Sequence, residues 1–453
     1  MNNVASEKQL LLEIKPILTS FDVELLKSLL LQYRPEDIAD IFWDIELDEA
    51  KFIINHVEKQ KAVEIIRSLD EELQERFFKG YTAQEIAQDV LGFLDSDDAV
   101  DILSILPTQK AEEVLSYIED QDYANSLAAM LHYDDDIAGG LMAKELVQVK
   151  YNWTVSQCIE EIRKQAEEVD SVHAVYVVDD RSILKGVVSL KDIVLSKPHI
   201  SVIEITNINF IAVNAYATGE EVARLMNKYD LITIPVVDSM TRLIGRITID
   251  DVVDFIKEEA DKDFQLQAGL SENVESSDSV YILSRARLPW LMVGLLGGLG
   301  SSMIISNFEG DISHLPKMAF FMPVVAAMGG NAGVQSSAII VQGLANNTLK
   351  SKNILPKLGK EFTVSLLNGL ICSAILLSFN MLLGHGYDLS IVVSSALVTV
   401  IIFASLLGTI TPLVLDKFNI DPALATGPFI TTINDIVGLG VYFLLGRILL
   451  GAI

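Results

Sequence analysis

The chain has 453 residues, which exceeds one typical domain, and it carries a net charge of −28. The charge is unevenly distributed: residues 285–453 hold nine Lys and Arg against seven Asp and Glu, which leaves −30 on residues 1–284. An acidic part is therefore joined to a nearly neutral, apolar part. This excludes a simple soluble enzyme and argues against a nucleic-acid partner, which requires a basic face.

The cysteines and the start of the chain indicate the compartment. Cys158 and Cys372 lie far apart in dissimilar segments, so neither a disulfide framework nor a cysteine zinc site is expected. The first 30 residues contain acidic side chains at positions 7, 13, 22 and 24 and lack a continuous apolar core. We therefore expect no signal peptide and a cytoplasmic N-terminus.

Residues 1–140 are predicted to form an acidic, wholly helical domain. The segment at 35–42 resembles the segment at 96–103, which indicates a superhelical arrangement of helical repeats. Asp97 and Asp101 are four residues apart, so they share one face of a helix. Like charges at this spacing destabilise a helix unless a cation neutralises them.

Residues 141–258 contain an internal repeat with an offset of 59 residues, which divides them into units at 141–200 and 201–258. The sequences VYVVD and GVVSLKD of the first unit match IPVVD and GRITIDD of the second. Each unit predicts a helix, two short strands around a turn, and a further helix that begins near an Asp. This α/β pattern resembles a tandem pair of CBS (cystathionine-β-synthase) domains.

The end of the CBS motif implies a nucleotide site. In CBS domains, the Ser or Thr and the Asp at this place hold the phosphates and ribose of adenine nucleotides. The matching residues are Ser189 and Asp192 in the first unit, and Thr248 and Asp251 in the second. The alternative is that each Asp only caps the helix that follows it.

An acidic run follows the second CBS unit and leads into a predicted connecting segment at 259–284. In a helix, Asp251, Asp254 and Glu258 lie on one side. A solvated charged face is the ordinary explanation for such a run. Its position favours a functional role, because it is the covalent connection between the CBS pair and the apolar part.

The apolar part, residues 285–453, is predicted to be a helical bundle that crosses the membrane five times, because each span needs about 20 apolar residues. Buried helices of a soluble protein rarely run as long without a charge. Basic residues flank the first span and populate the loop at 350–360, so the positive-inside rule places these ends in the cytoplasm and the C-terminus outside. The predicted spans are 288–308, 318–349, 362–387, 389–415 and 422–446.

The second and fifth spans contain Gly and Pro at unusual density. The second includes MGGNAGVQSS at 328–337, and the fifth includes DP at 421–422 and GP at 427–428. These residues free backbone carbonyls from helical bonding, which is tolerated only against protein or a watery cavity, so we expect the second span to be bent or broken. Close packing of helices through small residues is the alternative.

Asp435 lies within the fifth span, where an ionised carboxylate is costly and indicates a functional site. A protonated or interface-paired Asp is the alternative. Hard oxygen ligands suit Mg²⁺ or Ca²⁺ rather than copper or zinc. A single carboxylate favours Mg²⁺, which keeps much of its water, and a twofold dimer supplies a second carboxylate.

Together, the acidic helical domain, the CBS pair, the acidic connection and the five spans resemble the MgtE family of magnesium transporters over essentially the whole chain. The most specific motifs are those at 328–336 and at 421–435. The resemblance implies a homodimeric pore that binds hydrated Mg²⁺ at the carboxylate matching Asp435. Some relatives carry Asn in place of Gly427, which implies that this chain uses its backbone there. The implied pore residues are Gly329, Gly330, Asn331, Gly427, Thr431, Asn434 and Asp435.

The resemblance also implies that cytosolic Mg²⁺ binds between the helical domain, the second CBS unit and the connecting "plug" helix and thereby closes the pore. ATP at Ser189 and Asp192 is an implied regulator. Two other interpretations remain open, namely a proton-coupled carrier in which Asp435 titrates and a membrane-bound sensor that conducts nothing; no catalytic constellation is found, so an enzyme is not expected. The implied cytosolic ligands are Asp97, Asp101, Glu220, Asp230, Asp251, Asp254, Glu259 and Asp263.

Overall fold

The computed structural model describes residues 6–166, 169, 171–271, 274, 278–345, 349, 354–425 and 427–451. The chain divides into two compact units, Met1–Ile256 and Lys257–Ile453. Lys350 and Lys352 of the predicted basic loop, and most of the polar stretch between 271 and 279, lie outside the described residues.

The first unit opens with a helical domain whose amphipathic helices bury their apolar faces in a shared core. Short loops with capping residues separate the helices; Asp22, for example, accepts a hydrogen bond from the amide of Leu25 at the start of the second helix. The helices are α1 (Ser6–Ser20), α2 (Val23–Leu30), α3 (Pro35–Asp40), α4 (Leu47–His56), α5 (Lys59–Arg67), α6 (Glu71–Phe78), α7 (Ala83–Glu85), α8 (Ser96–Ile105), α9 (Thr108–Tyr117) and α10 (Gln121–Met130).

A recurring contact joins successive helices of this domain. Lys61 Nζ donates hydrogen bonds of 2.6 Å to two carbonyls at the end of α2. Lys110 Nζ makes the equivalent pair of bonds, 2.7 Å each, at the end of α6. The Tyr123 hydroxyl contacts an equivalent pair of acceptors, Leu91 O at 3.2 Å and Leu94 O at 3.1 Å. A later helix thus satisfies the unpaired carbonyls at an earlier helix end, which explains the helical repeat.

The CBS pair follows as two small three-stranded sheets of identical topology. In each sheet the middle strand pairs parallel with the first strand and antiparallel with the third. Val175 lies opposite Val147 and Val188 in the first sheet, so the strand registers follow the buried Val residues. The elements are β1 (Val147–Lys150), α11 (Val155–Gln165), β2 (Val175–Val178), β3 (Leu184–Val188), α12 (Leu190–Leu195), β4 (Val213–Asn214), α13 (Gly219–Tyr229), β5 (Thr233–Val237) and β6 (Leu243–Thr248).

The last helix of the CBS pair and the predicted connecting helix form one element, α14 (Ile249–Ala268). The boundary that we expect near residue 258 is not a helix end, because no Gly or Pro interrupts the chain between 249 and 268. The helix stops at Gly269, whose φ of +84° places it in the left-handed region. The amide of Leu270 donates to Gln265 O at 3.0 Å, which completes the C-cap.

The second unit contains five apolar helices that are long enough to cross a membrane. The fourth lies against the second, third and fifth and is the central helix of the bundle. The third begins before the apolar stretch that we predict, because its helix continues through the charged residues at 357, 360 and 361. The helices are α15 (Val280–Asn307), α16 (Glu309–His314), α17 (Met322–Ala345), α18 (Ile354–Leu382), α19 (Tyr387–Lys417) and α20 (Pro428–Gly451).

The prediction that the second span is bent or broken is wrong at the Gly-rich motif, where the helix is continuous. A 3₁₀ turn at Pro316–Phe321 precedes α17, and α17 then runs without interruption through the Gly-rich motif. The fifth predicted span, in contrast, begins with a 3₁₀ turn at Pro422–Ala425, and α20 starts only at Pro428. The glycines of α17 therefore leave the helical hydrogen bonds in place, and the close packing of helices accounts for them.

Candidate functional site

The first half of α20 carries the two polar side chains of the predicted pore motif. Asp435 is half-buried, and Asn434 is buried with 2% of its surface exposed. Among the described residues, Asn434 Nδ2 has no hydrogen-bond partner. A buried amide without a partner is costly and calls for a polar ligand or water. The two side chains therefore place a carboxylate and an amide where a polar ligand or a water molecule could bind.

The glycines of α17 bring this motif against α20. A Cβ at Gly333 would overlap Asn434 Nδ2 and would lie 2.8 Å from Ile430 Cγ2. A Cβ at Gly330 would lie 3.4 Å from Thr431 Cγ2. On the other side, α19 approaches α17 so closely that a Cβ at Gly408 would overlap Gly333 O. The glycines of α17 therefore accommodate side chains of α20 on one side and the backbone of α19 on the other.

The entrance to α20 is formed by Gly427 and Thr431. Gly427 has a φ of +58°, and its carbonyl accepts from Thr431 N at 3.1 Å and from Thr431 Oγ1 at 3.0 Å. Both lone pairs of this carbonyl are thus engaged, whereas the Thr431 hydroxyl keeps acceptor capacity of its own. The expectation that the Gly427 backbone contacts ion-bound water is not favoured by this arrangement and stays a prediction.

The seven predicted pore residues are only partly assembled in one chain. Gly329, Gly330, Thr431 and Asn434 lie at the crossing of α17 and α20, and Asp435 is the next residue on α20. Asn331, in contrast, is exposed on the surface of this chain.

In the first unit, the structure brings two of the predicted cytosolic carboxylates into electrostatic contact. Burial raises the pKa of Asp97 well above its ordinary value, and the charge of Asp251 is the next cause, followed by that of Asp98. Burial also raises the pKa of Asp251, against two hydrogen bonds that it accepts from Thr248. Carboxyl groups in this situation gain from a bound cation, which offsets both repulsion and burial.

The other predicted cytosolic ligands are described here each within its own unit. Glu259 pairs with Lys262 at 3.1 Å, and Asp263 is half-buried. Among the residues that the structure describes, no group of three His, Cys, Asp or Glu side chains could hold a metal ion. Of the predicted cytosolic ligands, the following are exposed: Asp101, Glu220, Asp230 and Asp254.

The sequence analysis missed Arg246, which lies in β6 with 6% of its surface exposed. Its Nε donates to Glu145 O at 2.5 Å, its Nη1 donates to Ser171 O at 3.2 Å, and its Nη2 lies 3.8 Å from Asp95 Oδ2. A signal was present, because the CBS repeat places the apolar Val187 at the equivalent strand position. A charge that replaces an apolar residue in a buried strand indicates a specific partner.

The predicted nucleotide residues of the first CBS unit form a helix cap. Ser189 Oγ accepts from the amide of Asp192 at 3.1 Å and donates to Asp192 Oδ2 at 2.7 Å. Thr248 and Asp251 repeat the hydroxyl-to-carboxylate bond in the second unit. These bonds show that Asp192 and Asp251 each take part in capping the helix that follows the last strand of their CBS unit. The nucleotide role of Ser189 and Asp192 stays a prediction.

Comparisons with known proteins agree with this architecture. The family described as MgtE, divalent cation transporter, matches residues 322–445; the MgtE intracellular N domain matches 33–136; and the CBS domain matches 135–197 and 202–258. The magnesium transporter MgtE of Bacillus subtilis (strain 168) is 32% identical over 437 residues, which cover 96% of each chain. That of Thermus thermophilus is 32% identical over 450 residues, which cover 99% of this chain and 100% of the relative.

Among solved structures, the cytosolic domain of the Mg²⁺ channel MgtE in complex with ATP is 30% identical and gives a TM-score of 0.51. It covers 54% of this chain and 98% of its own length. Fold and site thus define a multi-pass membrane transporter with a helical domain and a CBS pair. The chain belongs to the MgtE family of magnesium transporters, which confirms the resemblance seen in the sequence.

Proposed function

We propose that this protein is a homodimeric, Mg²⁺-selective channel that conducts hydrated Mg²⁺ into the cytoplasm past Asp435. The observation that carries the proposal is the pairing of a half-buried carboxylate with the buried, unpartnered amide of Asn434 where α17 and α20 cross. A hydrated divalent ion supplies charge for the Asp435 carboxylate, which accepts hydrogen bonds from the ion's bound waters. The Nδ2 donor of Asn434 requires an acceptor, which a water molecule in the same ion path supplies. The exposed Asn331 is a candidate for the pore lining between two copies.

The inside-negative membrane potential drives the ion inward. Each unit charge gains about 2.3 kcal/mol per 100 mV, so a divalent ion gains roughly twice that. This direction fits an N-terminus in the cytoplasm and a C-terminus outside, in the plasma membrane of the cell. No proton coupling is needed for uptake against a moderate concentration gradient.

Cytosolic Mg²⁺ closes the channel in this proposal. The first unit holds Asp97 beside Asp251 although neither carboxylate gains from the other's charge. When Mg²⁺ is scarce, repulsion separates the acidic surfaces; when Mg²⁺ rises, bound ions join the carboxylates of the helical domain, the second CBS unit and α14. The ions shift this equilibrium because the closed state binds them more tightly. ATP at Ser189 and Asp192 adjusts the response, as the ATP complex of the solved MgtE cytosolic domain suggests.

The test is reconstitution of the purified protein in liposomes, with Mg²⁺ flux measured as a function of Mg²⁺ on the cytoplasmic side. Asp435→Ala should abolish flux, whereas the exposed control Asp388→Ala should conduct normally. Normal flux through Asp435→Ala would remove Asp435 from the ion path. Mg²⁺ transport that depends on a proton gradient and saturates with Mg²⁺ concentration would favour the proton-coupled carrier instead.

The same liposomes test the closing mechanism. Neutralising Asp251, Asp254 and Asp263 together should leave a channel that conducts at high internal Mg²⁺. Inhibition equal to that of the unmodified protein would mean that this acidic run is only a solvated face.

A further inference from the structure

The last turns of α20 contact the segment that joins α15 to α17, residues 308–318, within the second unit. Arg447 Nε and Nη2 both donate to Asp311 Oδ2, at 3.0 and 2.6 Å. The guanidinium carbon of Arg447 lies 4.6 Å from the centre of the Phe308 ring. Arg447 therefore contacts both an anion and an aromatic face of this connecting segment, and a guanidinium group is attracted to each of them.

A second aromatic ring holds Phe308 in place. The rings of Phe308 and Phe443 are nearly parallel, with 16° between their planes and 5.1 Å between their centres. Phe443 is buried and lies four residues before Arg447, so both side chains project from the same side of α20. An exposed ion pair by itself contributes little to stability. Here the packed rings give the contact of Arg447 with Asp311 a defined geometry.

The same segment also contacts a neighbouring side of α20. The buried hydroxyl of Tyr442 donates to Met318 O at 2.9 Å. Gly446, four residues further along, has no room for a side chain, because a Cβ there would overlap Met318 Cε. Tyr442 and Gly446 therefore share the side of α20 that faces Met318. This side is about 100° around the helix axis from the side that carries Phe443 and Arg447.

Contacts on two sides of a helix fix its rotation about its own axis, whereas a contact on one side leaves the helix free to roll. Asp435 lies seven residues before Tyr442, which is nearly two full turns. The two side chains therefore project from the same side of α20, about 10 Å apart along the axis. A rotation that moves Tyr442 away from Met318 also changes the direction in which Asp435 points.

We propose that the connecting segment at 308–318 sets the rotation of α20 and thereby orients Asp435, with Tyr442 and Arg447 as positioning residues. This inference rests on the proposed function, in which Asp435 lies on the ion path. Tyr442 and Arg447 act on the ion only through α20. When their contacts are lost, the Asp435 carboxylate no longer has a single orientation, and a hydrated ion is bound less well, because a binding site requires rigidly held groups.

An exchange of charges tests the role of Arg447 in liposomes at low internal Mg²⁺. Arg447→Asp and Asp311→Arg each bring two like charges together, so we expect either substitution to raise the Mg²⁺ concentration for half-maximal flux at least about fivefold. The double variant restores a pair of opposite charges and should return this concentration to within about twofold of the unmodified protein. Lys317→Gln removes an exposed charge from the same segment and is the matched control, with normal flux expected. Normal flux in both single variants, or a double variant as impaired as the single ones, would overturn the inference.

A measurement that does not depend on conduction tests the rotation itself. Asp435→Cys is introduced after replacement of Cys158 and Cys372 by Ser, and the rate of its reaction with a charged, water-soluble maleimide is measured. Tyr442→Phe keeps the ring but removes the bond to Met318, and we expect it to change this rate at least threefold.

The matched control for this measurement is Tyr387→Phe, which removes an exposed hydroxyl and should leave the rate unchanged. An unchanged rate in Tyr442→Phe would refute the positioning role, whether or not the protein conducts. If Asp435→Ala conducts normally while Tyr442→Phe alters the rate, the proposed function fails and the orientation of α20 by the connecting segment still holds.

Discussion

The contact of Gly333 with α20 gives a prediction whose magnitude follows from the structure. Gly333→Ala places a methyl group where Asn434 Nδ2 now lies and 2.8 Å from Ile430 Cγ2. Overpacking of this kind costs about 1–3 kcal/mol. The matched control is Gly298→Ala on α15, where no described atom lies within 4 Å of the added Cβ. Both substitutions gain about 1 kcal/mol of helix propensity, so the difference between them isolates the steric cost.

The assay is thermal unfolding of the purified protein in detergent, followed by intrinsic fluorescence. For a unit of this size, 1 kcal/mol corresponds to about 2–4 °C. We therefore expect Gly333→Ala to unfold about 2–12 °C below Gly298→Ala. Flux should fall as well, because α20 moves away from α17 and carries Asp435 with it. Equal unfolding temperatures and equal flux in the two variants would refute the role of Gly333 as a close-contact residue.

Two further predictions concern the first unit. Arg246→Gln should lower stability by about 3 kcal/mol, because it removes a buried cation that donates to two carbonyls and lies near Asp95. The exposed control Arg242→Gln should cost under about 1 kcal/mol. Similar melting curves for the two variants would contradict this prediction. Because the folded pKa of Asp97 is raised, the contribution of this carboxyl group to stability is full below its ordinary pKa of 3.8 and is lost as pH rises through the folded pKa. Without Mg²⁺, Asp97→Asn should thus stabilise more at pH 7 than at pH 3.8. An equal effect at both would show that burial does not penalise the ionised Asp97 carboxylate.

Much of the architecture could be predicted because it is encoded locally or by repetition. Uninterrupted apolar stretches indicated the five spans, and the 59-residue offset indicated the CBS pair. The family motifs indicated which helices carry the polar residues. In these cases the information lies within one segment of the sequence or in the similarity between two segments.

The features that the sequence did not reveal depend on contacts between segments. The motif around Gly330 has the composition of a helix break, but only the positions of α19 and α20 show that its glycines are contact points. The proximity of Asp97 to Asp251 and the burial of Arg246 also require the folded first unit. The repeat did contain a trace of Arg246, since Val187 occupies the equivalent strand position.

In the helical domain, lysines cap the C-terminal ends of earlier helices. The earlier helices therefore depend on later ones for their capping, and not the reverse. Lys61 and Lys110 serve helices that precede them in the chain, so each stretch is completed only by residues synthesised later. A protein truncated before Lys110 would expose the carbonyls at the end of α6 to solvent. Fraying would then spread backward towards the N-terminus, and the nascent domain would acquire its full resistance to proteolysis only when its last helices had emerged.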